Sequence, residues 1–175
     1  MRKLQVAVIG DSQTNKTVYD FCEQLGIFLA QSDFTVITGG RGGVMEAVSK
    51  GAFTANGLTI GILPSDELND GNKYCYSVIP TGMGNSRNSI IVQSADIIIA
   101  IGGQAGTLSE LAFSWISNKP IICVEKFGGW SSKLSGQIVD SRRNEPIIGV
   151  NTLEELKSQV LYIAKSINLN KSRID

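Results

Sequence analysis

Two glycine-rich turns, each set between an apolar run and a helical pattern, constrain this chain more than any other feature. The first is Gly39-Gly40-Arg41-Gly42-Gly43, after the mainly apolar run Phe34-Thr35-Val36-Ile37. The second is Gly102-Gly103-Gln104-Ala105-Gly106-Thr107, after Ile97–Ile101. A strand that ends in glycines and passes straight into a helix leaves backbone N–H groups free at the positive end of the helix dipole. Such an end holds anions, and phosphate above all. Glycine suits the turn because a Cβ would block close approach and oppose a positive φ. Two such turns in 175 residues predict a phosphate-bearing small molecule held between strand ends.

The rest of the chain alternates in the same way. Strand-like apolar runs fall at residues 4–9, 34–38, 58–63, 76–79, 96–101, 120–124 and 147–150. Helical stripes fall at 17–31, 44–55, 85–94, 107–117 and 152–167, the last capped by Asn151. Residues 125–145 are glycine- and charge-rich and read as a loop. Near-continuous Val/Ile strands alternating with helices mean a mainly parallel sheet covered on both faces. With right-handed crossovers this is a doubly wound, Rossmann-like α/β fold. Residues 1–167 are expected to form one ligand-binding domain, and 168–175 a polar tail that frays. In such sheets ligands sit beyond the carboxyl ends of the strands, at the switch in strand order. The segments Gly10-Asp11-Ser12, Gly39–Gly43, Gly82-Met83-Gly84 and Gly102–Gly106 all follow strands and should gather at one edge.

Composition excludes several classes. Sixteen basic and sixteen acidic side chains cancel, which leaves no electrostatic case for nucleic acid or an anionic membrane. No apolar run approaches the roughly 20 residues that cross a bilayer, and the start of the chain has no signal-peptide pattern, so the cytoplasm is the expected compartment. Cys22, Cys75 and Cys123 are too few and too scattered for a disulfide framework or a CxxC metal site. The absence of histidine removes imidazole acid–base chemistry, histidine triads and His-ligated zinc. Any catalysis would fall to carboxylates, Arg, Lys, Tyr, Ser or Thr.

GxGxxG is absent, which argues against the standard dinucleotide site, and GxxxxGK[ST] is absent, so there is no P-loop. Arg41, in the first glycine turn, is either a solvated charge or a bidentate partner for phosphate or carboxylate. Thr107 stands at the expected start of a helix, where its hydroxyl and the free N–H groups can hold phosphate. Glu110 lies about one turn further on and can face the same pocket, or it can serve the helix end or a nearby arginine. Arg87 opens the helix before the 96–101 strand. Trp115 fits an apolar helix face, and Trp130 is either a loop anchor or an aromatic near the site.

These motifs give the chain a family resemblance. Gly39-Gly40-Arg41-Gly42-Gly43-Val44-Met45-Glu46-Ala47, Asn85-Ser86-Arg87-Asn88 and Gly102-Gly103-Gln104-Ala105-Gly106-Thr107-Leu108-Ser109-Glu110 resemble the LOG-like ("lysine decarboxylase-like") Rossmann superfamily. The resemblance runs from about residue 4 to 167. Its enzymes cleave cytokinin riboside monophosphates at the N-glycosidic bond and carry PGGxGTxxE with a preceding Arg-Lys. On that resemblance Arg87 and Glu110 match the catalytic arginine and glutamate. Ile101 stands where those enzymes have proline, and Asn88 where they have lysine.

Within the superfamily the pattern is most similar to the molybdenum cofactor carrier proteins. That resemblance implies binding and hand-over of a phosphate-bearing pyranopterin (molybdopterin) without chemistry, molybdoenzymes as acceptors, and a homo-oligomer, dimer or tetramer. The residues themselves fit either branch, or a nucleotide-sensing module, and do not choose the pterin over an AMP-type nucleotide.

Overall fold

A run such as Ile97-Ile98-Ile99-Ala100-Ile101 has no polar alternate, so both its sides must be covered. The computed structural model, which describes residues 2–171, covers them with helices. Seven strands, β1 (Gln5–Gly10), β2 (Thr35–Thr38), β3 (Thr59–Leu63), β4 (Ser77–Pro80), β5 (Ile97–Ile101), β6 (Ile121–Val124) and β7 (Ile148–Val150), form one sheet. Its order is β4-β3-β2-β1-β5-β6-β7, and every pairing is parallel. The chain winds outward through β2, β3 and β4, then returns to the far side of β1 as β5. The switch in strand order therefore lies between β1 and β5, which run in register from Val6 opposite Ile97 to Gly10 opposite Ile101.

Period-two alternation along β1 sends its side chains to two cores. Val6 and Val8 pack with α1 (Lys16–Gln31), α2 (Val44–Thr54) and α6 (Leu153–Lys171). Ala7 and Ile9 pack with α3 (Asn88–Gln93) and α4 (Ala105–Ile116), and α5 (Gly129–Leu134) lies on the same side. No described helix is long and apolar enough to cross a membrane.

Four local expectations change. First, α4 begins at Ala105 rather than at 107, with Gln104 as its N-cap; Ala105-Gly106 reads as turn in sequence but is the first helical turn. Second, the helix expected over 85–94 opens as a 3₁₀ turn, Gly84–Arg87, before α3. Third, the 125–145 loop contains α5. Trp130 and Leu134 pack on the second core, and the Ser131 hydroxyl donates to the Val124 carbonyl (2.8 Å). Fourth, the cap of α6 is Thr152, not Asn151. Thr152 Oγ1 accepts from the Glu155 amide (3.2 Å), and Glu155 Oε2 accepts from the Thr152 amide (3.2 Å), a reciprocal capping box. Asn151 instead donates through Nδ2 to Glu125 (2.8 Å). Residues 168–171 of the expected tail continue α6, and the remainder lies outside the described residues.

Trp115 is buried as expected. Its indole N–H donates to Asp140 (2.8 Å), and the Arg143 guanidinium stacks on its ring while donating to the Ser114, Trp115 and Lys119 carbonyls at the end of α4. These bonds satisfy carbonyls that a helix terminus leaves unpaired.

Candidate functional site

The four connections that follow β1, β2, β4 and β5 converge at the switch point around a cavity of about 230 Å³. The β1 end supplies Ile9, Gly10, Asp11 and Ser12. The β2–α2 turn supplies Gly39 and Arg41, with Met45 from the start of α2. The crossover from the edge strand β4 back to β5 carries Asn85, Arg87 and Asn88 past β1. The start of α4 supplies Gln104, Gly106, Thr107 and Glu110.

The expected residues thus separate into two sets. Gly10, Asp11, Ser12, Gly39, Arg41, Arg87, Gln104, Gly106, Thr107 and Glu110 line the cavity. Gly40, Gly42, Gly43, Gly82, Met83, Gly102, Gly103 and Ala105 are not among the residues that line it. Gly82 and Met83 belong to the loop after the edge strand, where the Gly82 amide is bound to the Ser65 carbonyl (2.9 Å). Ile9, Met45, Asn85 and Asn88 also line the cavity without an expected binding role, although the last three lie within the family motifs; the convergence of separate strand ends brings them in.

The two glycine turns do different work. At Gly43 φ is +65°, and a Cβ there would collide with the Asp11 carbonyl oxygen and with Ser12. The Asp11 carbonyl also accepts the Val44 amide (3.0 Å), so this turn is a seat for the β1–α1 loop. At Gly103 φ is +102°, and a Cβ would strike the Thr107 side chain. The Gly103 amide donates to Asp11 Oδ2 (2.8 Å). Neither glycine tolerates a side chain.

The first turn of α4 is arranged differently. No side chain caps it, and the N–H groups of Ala105, Gly106 and Thr107 have no intrahelical acceptor by geometry. Gly106 lies beside the cavity with nothing within 4 Å of where its Cβ would stand. Thr107 is buried three residues into the helix rather than at its cap. An uncapped helix start facing an open cavity is a ready anion site.

Two buried ionisable side chains line the same cavity. Arg87 is 8% exposed and Glu110 6%. Arg87 donates through Nη1 to Asn88 Oδ1 and through Nη2 to the Gly39 carbonyl (3.4 Å); its buried Nε has no partner among the described residues. The nearest Arg87–Glu110 approach is 3.8 Å, an ion pair without a hydrogen bond. Burial therefore outweighs the attraction of Arg87 and pushes the Glu110 carboxyl up to about 7. Burial, and the like charge of Arg41, lower Arg87 from the ordinary guanidinium value. Asn88 ties the two helices together: its Nδ2 donates to Ser109 Oγ (2.8 Å) and to the Gly106 carbonyl (3.3 Å).

Among the described residues no group of His, Cys, Asp or Glu is placed to hold a metal ion, and no cysteine lines the cavity. Burial pushes the Cys22 and Cys123 thiols up to about 12 and also raises Cys75, so none is primed as a thiolate. A wider, open groove of about 640 Å³ lies at the opposite end of the sheet, between residues 2–4 and α6, and includes none of the glycine turns.

The chain matches the family model described as LDcluster4, the SLOG cluster4 family, over residues 3–157. It is similar to the molybdenum cofactor binding protein from the phototrophic bacterium Rippkaea orientalis, at 36% identity and a TM-score of 0.77, covering 100% of this chain and 99% of that one. The protein TM1055 superposes with a TM-score of 0.83 at 34% identity, covering 91% and 98%. The molybdenum cofactor carrier protein from Chlamydomonas reinhardtii is 26% identical with a TM-score of 0.78, covering 94% and 99%.

Proposed function

Because this chain belongs to the SLOG cluster4 family, we propose that it binds a phosphate-bearing small molecule at the start of α4, and that this molecule is the molybdenum cofactor, carried without turnover. The observation that carries the reading is the uncapped first turn of α4, with open space above Gly106 and two arginines, Arg41 and Arg87, on the same cavity. Backbone N–H groups and the helix dipole take the phosphate, and Arg41, which is exposed, closes over it. Asp11, Asn85 and Gln104 offer donors and acceptors to the remainder of the ligand. Protein ligands to molybdenum are not needed in a site that grips its cargo by phosphate. The named binding and carrier proteins above, similar over nearly the whole chain, support the pterin over other phosphates. The balanced charge of the chain supports a small molecule over a nucleic acid, and its free cysteines suit a reducing cytoplasm.

A second reading has one specific observation in its favour. Arg87 and Glu110 stand together in the cavity, and an acid beside a cation can in principle protonate a leaving base or activate water at a nucleoside 5′-monophosphate. The two readings separate in one experiment. The protein is incubated with AMP and an N6-substituted AMP while free base is followed, and cofactor binding is titrated in parallel. Carriage gives saturable cofactor binding and no free base; release of base over many turnovers gives the hydrolase.

The carrier reading includes a two-fold dimer. The exposed face of α4 carries Ala112, Phe113 and Ile116 and no charge, and α3 beside it carries none either. A second copy covering this face would brace the two helices that open onto the cavity.

A further inference from the structure

We infer that Glu110 holds a bound phosphate-type anion in its protonated form, as a hydrogen-bond donor, so that above neutral pH this site takes up a proton with the anion it binds. The inference rests on the proposed anion site at the start of α4 and adds to it the chemical state in which that site works.

The geometry leads there in three steps. Gly106 and Glu110 are four residues apart on α4, on one face and one turn from each other, and both line the cavity. An anion on the Gly106 amide therefore arrives beside the Glu110 carboxyl. That carboxyl is 6% exposed, so water does not screen it. The cation it faces makes no hydrogen bond to it, because Arg87 turns Nη1 to Asn88 and Nη2 to Gly39 and stays 3.8 Å away. Two adjacent negative charges in a poorly solvated cavity repel, whereas a neutral carboxyl can donate to the anion.

The other charged groups around the cavity do not change this balance. Arg41 reaches it from the β2–α2 turn and Asp11 from the end of β1, but the Asp11 carboxylate is already engaged with the Gly103 amide. The strands under α4 present apolar side chains, and on α5 Lys133 lies over the Trp130 ring. In the free protein burial already raises the Glu110 carboxyl to about 7; an anion beside it raises it further. The proton comes from solvent and returns there on release, so a rise in pH favours unloading.

Titration calorimetry with AMP at pH 8 tests this in two buffers of different ionisation enthalpy. At that pH the AMP phosphate has already lost its second proton, with its pKa near 6. The wild type is expected to take up about one proton per AMP, and its affinity to rise about fivefold from pH 8 to pH 7. Glu110→Gln keeps a donor in place of the acid; it is expected to show no uptake and no such rise. Uptake that persists in Glu110→Gln, or none in a wild type that binds AMP and loses it on Gly106→Val, overturns the inference and leaves the anion site standing. AMP and inorganic phosphate that fail to bind, or that bind equally well to Gly106→Val, overturn the anion site and the inference with it.

Discussion

The Gly103 amide donates to the Asp11 carboxylate at 2.8 Å, a single bond that joins the ends of β1 and β5 across the point where the strand order reverses. It holds Gly103 two residues before Ala105, where α4 begins. Asp11→Ala removes the charged acceptor of a partly buried hydrogen bond and should lower stability by about 1–2 kcal/mol. Asp11→Asn keeps a carbonyl acceptor and should lose less than half of that. Chemical denaturation of the two variants is the check; equal losses would show that the bond does not hold the turn.

A second prediction concerns pH. Glu110 is raised from an ordinary 4.5 to about 7 in the folded protein by burial. Near pH 4 both folded and unfolded chains hold its proton, and the residue costs nothing. As pH rises from 4.5 to 7 the unfolded chain releases the proton and the folded one keeps it, so stability falls, and above 7 the loss levels off. Glu110→Gln removes this term. The variant should exceed wild-type stability by up to about 3 kcal/mol at pH 8 and by almost nothing at pH 4. A difference that does not grow with pH would contradict the buried, weakly paired carboxyl.

The hydroxyl of Thr107 offers a smaller effect. Thr107→Val keeps the buried shape that packs over Gly103 and removes one donor facing the cavity. AMP affinity should fall about fivefold, on the order of 1 kcal/mol. Unchanged calorimetric affinity would place the anion away from this side chain.

The dimer has its own test. Light scattering coupled to size exclusion, at tens of micromolar, should give twice the 18.8 kDa chain mass. Ile116→Glu on the exposed face of α4 should return the monomer. A wild-type monomer, or a dimer indifferent to Ile116→Glu, rejects that face.

What sequence could and could not convey follows from which signals are local. Val/Ile runs with glycine ends mark the strands and their carboxyl termini, so the parallel sheet and the gathering of Gly10, Gly39 and Gly102 at one edge are legible. The start of α4 is not, because Gly106 has low local preference for helix and reads with Gly102-Gly103 as one glycine turn; tertiary contacts hold it in the helix, among them Asn88 on the Gly106 carbonyl. The α5 segment lacks apolar periodicity and forms because Trp130 and Leu134 find the second core. Gly43 looks like a phosphate cradle in sequence and is a packing contact in space, since only the fold brings Asp11 against it. Asn88 and Met45 lie within the family motifs but have no expected binding role there; their place in the cavity depends on crossovers from other strands.

The most direct test of the account is the affinity of Gly106→Val for AMP, measured by titration calorimetry beside its thermal unfolding. Nothing lies within 4 Å of a Cβ at Gly106, and its φ is not one that side chains avoid, so the variant should fold as the wild type does. The added side chain would fill the place assigned to the phosphate. The account predicts binding weakened by more than about tenfold, or at least 1.4 kcal/mol, at an unchanged melting temperature. A folded Gly106→Val protein that binds AMP as tightly as the wild type would contradict it.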